Sequence, residues 1–160
     1  LEKKEGIADS GGVSRGYGIG GPQRGTPFAA RVETFASPLG LPCLKPPYGE
    51  IALVDLTTQQ VVWRRGVGPF NLGFPHAAGS FITAGGLIFN AGVIDGRLRA
   101  IDTLTGDVIW QEELRSASDA TPMSYVSPTT GRQYVVVTVP GRSPTGGRVI
   151  AYALPEGFDS

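Results

Sequence analysis

Residues 53–63 and 100–110 repeat one another in register, and this repeat narrows the possible folds more than any other feature of the chain. The later copy reads Ala100-Ile101-Asp102-Thr103-Leu104-Thr105-Gly106-Asp107-Val108-Ile109-Trp110, and the earlier Leu53-Val54-Asp55-Leu56-Thr57-Thr58-Gln59-Gln60-Val61-Val62-Trp63. Asp, Thr and Trp coincide at an offset of 47 residues, with apolar residues at matching places. A weaker third copy begins at Ala151-Tyr152-Ala153 and stops where a second strand would start. Each unit reads as a strand ending at Asp, whose carboxylate can accept backbone N–H bonds from the turn that follows. A second strand then closes on a Trp large enough to pack between neighbouring sheets. A period of this length holds four short strands, the size of one β-propeller blade. Gln59 stands where Gly106 ends the later turn, so the earlier turn is expected to be looser or of another type.

Composition agrees with an all-β reading. The 160 residues include 24 Gly and 13 Pro, and these breakers leave no stretch long enough for a helical bundle or coiled coil. Only 18% are charged, with 14 basic residues against 14 acidic, so nothing supplies the positive field of a nucleic-acid binder. Strand-like runs fall at 50–56, 60–65, 80–83, 87–91, 98–102, 108–114, 123–126, 133–139 and 148–153, separated by turn residues such as Gly85-Gly86, Asp95-Gly96 and Thr130-Gly131.

The organisation expected is a flexible segment over 1–27, a Pro-rich connector over 28–48, partial propeller blades over 49–155 and a tail over 156–160. Cys43 is the sole cysteine, which excludes an internal disulfide and a paired-cysteine metal site. No apolar run approaches the roughly 18 residues needed to span a bilayer. The chain opens Leu1-Glu2-Lys3-Lys4-Glu5, with no initiator Met and no signal pattern. It is therefore expected to be a piece of a longer protein, because a blade cannot bury both its faces alone. The truncated third copy suggests that the last blade takes its missing strand from the parent's N-terminus. Open strand edges make self-association of the piece plausible.

The repeat resembles the tryptophan-docking motif of quinoprotein dehydrogenases, Ala-x-Asp-x-x-Thr-Gly-x-x-x-Trp, which residues 100–110 fit at every fixed position. Gly40-Leu41-Pro42-Cys43 and Pro46-Pro47-Tyr48-Gly49 look like a connector of the membrane-bound glucose and quinate dehydrogenases. Pro69-Phe70-Asn71-Leu72-Gly73-Phe74-Pro75 and Ala120-Thr121-Pro122-Met123-Ser124-Tyr125 are similar to further segments of that group. The resemblance implies part of an eight-bladed propeller, about two blades, whose parent carries pyrroloquinoline quinone (PQQ) held by calcium or magnesium. It implies oxidation of a small alcohol or sugar, a polyol or a cyclic hydroxy acid, with electrons passed to ubiquinone. It also implies a location at the periplasmic face of the bacterial inner membrane. The alternative is a non-enzymatic scaffold built on the same repeat, such as an outer-membrane assembly lipoprotein. The connector and the Ala-Thr-Pro-Met-Ser-Tyr stretch favour the enzyme.

By the same resemblance, the catalytic base and metal ligands come from blades upstream, and no catalytic or metal-binding residue is expected in this segment. Gly141 and Arg142 are the expected cofactor contacts, since relatives place a Gly-Gly-His-Gly loop there. Arg142 replaces the His; a guanidinium could pair bidentately with a carboxylate of quinone or substrate, and the alternative reading is a solvated loop arginine. The shorter loop after it, and the short stretch between Trp63 and Pro75, put sugar specificity in doubt. His76, the sole histidine, reads as a packed or surface residue, and Asp119 as a loop residue. Asp55 and Asp102 read as turn caps, and Trp63 and Trp110 as docking residues. Arg64-Arg65, and Arg97 with Arg99, read as pairs on a solvated face.

Overall fold

The computed structural model describes residues 2–3, 20–22, 27–31, 35–40, 42–141 and 146–155. The chain divides into two compact units, Leu1–Lys45 and Pro46–Ser160. In the first, β1 (Glu2–Lys3), β2 (Gly20–Pro22) and β3 (Phe28–Arg31) form a small antiparallel sheet in the order β1-β3-β2. Of the segment expected to be flexible, 1–27, the described strands at 2–3 and 20–22 each pair with β3.

The second unit holds three antiparallel sheets. β4 (Glu50–Asp55) pairs with β5 (Gln60–Gly66). β6 (Ser80–Ile82), β7 (Leu87–Asn90), β8 (Arg97–Asp102) and β9 (Val108–Glu113) form a four-stranded meander. β10 (Met123–Val126), β11 (Gln133–Val139) and β12 (Arg148–Tyr152) form a three-stranded one. A 3-10 turn at Pro69–Asn71 lies on the path from β5 to β6.

The repeat is visible in the ladders. β4–β5 slips register between Leu53 and Val54, and β8–β9 slips between Ala100 and Ile101, the matched positions of the two copies. Trp63 sits opposite Leu53 as Trp110 sits opposite Ala100. Both turns are capped as the Asp predicts: Asp55 Oδ1 accepts from Thr57 N at 2.8 Å, and Asp102 Oδ1 from Leu104 N at 2.7 Å. The earlier turn is not of another type, because Gln59 takes the left-handed φ of 58° that Gly106 takes at 76°. It is looser at its second bond, 3.4 Å at Thr58 N against 2.9 Å at Thr105 N. Two N–H bonds to one carboxylate outweigh the roughly 1 kcal/mol that the left-handed region costs a residue with a Cβ.

Period-two alternation on the four-stranded sheet gives each of its faces a separate core. Ile88 and Ile101 pack with Trp63 against Ile51 and Leu53 of the β4–β5 sheet. Ala91, Leu98 and Leu114 pack with Val137 and Val139, and Ile150 and Tyr152 close over them, on the β10–β12 side. The middle sheet is thus a blade docked on both faces.

Candidate functional site

The seam between β4–β5 and β6–β9 is where the repeated Trp acts. The Trp63 indole N–H donates to Thr103 O at 2.8 Å, and only 9% of the residue is exposed. A Cβ on Gly106 would lie 3.0 Å from the indole ring, so the turn glycine gives the Trp its seat as well as shaping the turn. Trp110, one period later, meets Tyr152 edge-on at 5.7 Å and stays 40% exposed. Burial, with Glu112 nearby, pushes the Tyr152 hydroxyl above its ordinary value.

Strand direction collects the loops 67–79, 91–96 and 114–122, with residues 140–141 and 146–147, at one end of the sheets, since Ser80 pairs with Asn90, Arg97 with Glu113 and Val139 with Arg148. The first three are tied together. Leu114 N donates to Gly96 O at 2.7 Å, Ser118 N to Ala91 O at 3.0 Å, and Ala77 N to Gly92 O at 3.1 Å. The buried Ser118 hydroxyl donates to Ala120 O at 2.8 Å and accepts from Ala120 N at 3.2 Å, turning the chain toward Asp119. No sequence signal singled out Ser118.

Gly141 stands at this end, exposed, just after Pro140. Arg142, the other expected cofactor contact, lies outside the described residues. A Cβ on Gly147 would meet Val139 O at 3.1 Å and Gly141 N at 3.4 Å, so this glycine lets the two ends of the loop approach. Beside them is an open hollow of about 360 Å³ bounded by Asp119, Thr138, Pro140, Gly147 and Arg148. Asp119 is an exposed loop residue, as the sequence suggests.

His76 bridges to Val93 in this loop end, and its Nδ1 is buried without a hydrogen-bond partner. Asn90 is fully buried; its amide donates to Ser80 Oγ at 3.0 Å while Oδ1 has no partner. The solvated reading of Arg97 with Arg99 fails for the second residue. Arg99 is 3% exposed and forms a two-point ion pair with Asp95, its Nη1 donating to Oδ1 at 3.0 Å. A carboxylate one turn of chain away lets the guanidinium enter the seam without an unpaired charge. The four-residue spacing from Asp95 across the Gly96 turn was the available signal.

The chain matches the family described as "PQQ: Glucose/ethanol/alcohol dehydrogenase, beta-propeller domain" over residues 2–135. It belongs to this family of PQQ β-propellers, and its sheets are part of such a propeller. Among curated relatives, it is 40% identical to a probable quinate dehydrogenase (quinone) of Xanthomonas campestris pv. juglandis, over 93% of this chain and 21% of that protein. It is 40% identical to the quinate/shikimate dehydrogenase (quinone) of Acinetobacter baylyi, over 92% of this chain and 20% of that protein. It is 37% identical to the quinoprotein glucose dehydrogenase of Escherichia coli, over 84% and 19% respectively. The chain therefore spans about one fifth of the length of these relatives.

The described residues do not by themselves fit the family's cofactor. PQQ is a tricarboxylate, and the hollow beside Gly141 offers it one guanidinium, Arg148, set against one carboxylate, Asp119. No group of three or more His, Cys, Asp or Glu able to hold a metal ion occurs among the described residues. What these residues do provide is a close approach of Gly141 and Gly147 beside a hollow that Asp119 and Ala120 also line.

Proposed function

We propose that this chain is the blade-forming part of a longer PQQ-dependent dehydrogenase that oxidises a sugar, a polyol or a cyclic hydroxy acid. The observation that carries the reading is 40% identity to quinone-linked quinate dehydrogenases over more than nine tenths of the chain. In this reading the longer protein would hold PQQ with calcium or magnesium, which would supply the two-electron oxidation of the alcohol with ubiquinone as acceptor, at the periplasmic face of the inner membrane. The residues described here hold blades in register, with Gly141 and Gly147 at the end assigned to the cofactor. Proton abstraction and metal binding fall to segments outside this chain, and alone it is inactive. A non-enzymatic scaffold has no specific observation in its favour.

The test is dye-linked oxidation by the longer protein reconstituted with PQQ and calcium, assayed on quinate, glucose and glycerol. PQQ-dependent dye reduction with at least one of them is expected. Loading with PQQ but no turnover of any alcohol would overturn the reading. A secondary proposal concerns β12, which pairs with β11 on one side only among the described strands. Such an edge recruits further strands, so the isolated chain self-associates; a strictly monomeric species in light scattering at high concentration would contradict this.

A further inference from the structure

The seam between the β4–β5 and β6–β9 sheets is closed at its Trp63–Thr103 end, and beside that contact it widens into a cleft of about 490 Å³. That is within the range of small-molecule sites. Arg65 on β5 and Arg97 and Arg99 on β8 line it from opposite sheets, together with Asp95, Asp107 and the Trp63 ring. Arg97, Arg99 and Ile101 share a face of β8 by alternation, so the apolar packing at Ile101 gives way to two guanidiniums along one row.

Packing alone does not call for that change. The Arg99–Asp95 pair is nearly buried, and taking both charges out of water costs several kcal/mol that an apolar pair would not. Arg65 is aimed by its bond to Thr105 O at 3.2 Å. Arg97 and Asp107 are exposed and form no ion pair among the described residues, and Glu113, across the ladder from Arg97, does not close one with it. The cleft thus presents a fixed polar floor and uncommitted charges of both signs at its mouth.

We propose that this interblade cleft binds a small hydroxylated monocarboxylate, at a site separate from the hollow beside Gly141. The Arg97 guanidinium fork suits the two oxygens of a carboxylate, and Arg65, whose two Nη atoms donate to Arg64 O and Thr105 O, adds its charge from the opposite sheet. Asp107 accepts hydrogen bonds from ligand hydroxyls and repels more highly charged anions. The Arg99–Asp95 pair forms the floor, and the Trp63 ring the apolar wall. The proposal stands on this chain's own residues and does not depend on the dehydrogenase reading.

Titration of D-gluconate into the chain, followed by calorimetry and by tryptophan fluorescence, tests it. Sorbitol supplies the hydroxyls without the charge, and inorganic phosphate supplies charge without the hydroxyls. Saturable one-to-one binding of gluconate is expected, with sorbitol and phosphate each at least about tenfold weaker, the loss of one charge-assisted contact. Arg97→Gln removes an exposed side chain, so it should weaken gluconate at least about tenfold with an unchanged melting temperature. Arg148→Gln, at the other hollow, should leave the affinity as it was. Absence of saturation, equal binding of sorbitol or phosphate, or full affinity in Arg97→Gln would each overturn the proposal.

Discussion

Trp63→Ala removes the residue on which the blade seam turns. The ring is 9% exposed, packs with Ile88 and Ile101, and donates to Thr103 O at 2.8 Å. Truncating a core tryptophan costs about 3–5 kcal/mol, and the carbonyl left without a donor adds about 1 kcal/mol. A loss of about 4–6 kcal/mol is therefore expected, a fall of roughly 8–24 °C in melting temperature for a chain of this size. Trp110 occupies the same motif position but keeps 40% exposure, and its one ring partner is Tyr152. Losing that edge contact costs about 1 kcal/mol and the half-covered area about 1–2 kcal/mol. Trp63→Ala should thus exceed Trp110→Ala by about 2 kcal/mol, the difference that docking makes to one residue type at one motif position. Guanidinium denaturation followed by far-UV circular dichroism measures both variants on one scale. A loss for Trp110→Ala equal to or greater than that for Trp63→Ala would refute the reasoning.

Gly106→Ala places a Cβ at a φ of 76° and 3.0 Å from the indole; a loss of about 1–2 kcal/mol in the same assay is expected. Gln59→Gly relieves the left-handed residue of the earlier turn, and a gain of about 0.5–1 kcal/mol should appear as a higher denaturation midpoint. Asp95→Asn leaves the Arg99 guanidinium buried beside a neutral amide, and should cost about 3 kcal/mol in chemical denaturation, with Arg99→Met in the same chain restoring most of it. The Asp55 carboxyl is held below its ordinary 3.8, chiefly by the Thr57 backbone N–H and then by Thr58. A lowered pKa stabilises the fold above the ordinary value and is lost as the pH falls through the lowered one. Asp55→Asn keeps the acceptor without titrating, so its stability should fall less steeply below about pH 4; an acid limb identical to the parent's would contradict this.

The blade pairing was legible because one pattern recurs at a fixed offset. Asp55 and Asp102 cap equivalent turns, and both ladders slip register at equivalent residues, so the period of the sequence is the period of the sheet. The difference between Trp63 and Trp110 was not legible, because burial depends on what the neighbouring sheet supplies and the motif is the same in both. Arg99 was misread for a related reason. Alternation says which face a residue shares, and only the Asp95 carboxylate folding back over Gly96 decides that the face is buried. The left-handed Gln59 shows that a turn can keep its type without its glycine when its hydrogen bonds are intact. At the candidate site the sequence marked Gly141 through resemblance alone, and composition could not foresee that Gly147 closes its loop or that Ser118 orients Asp119.

The central claim is that this chain supplies docked blades of a quinoprotein propeller while the redox machinery lies in other segments. Titrating PQQ with calcium into the 160-residue chain and into the longer protein, with binding read by calorimetry, tests it most directly. The account predicts stoichiometric tight binding by the longer protein and none by this chain. Tight one-to-one binding of PQQ by the chain alone would contradict it.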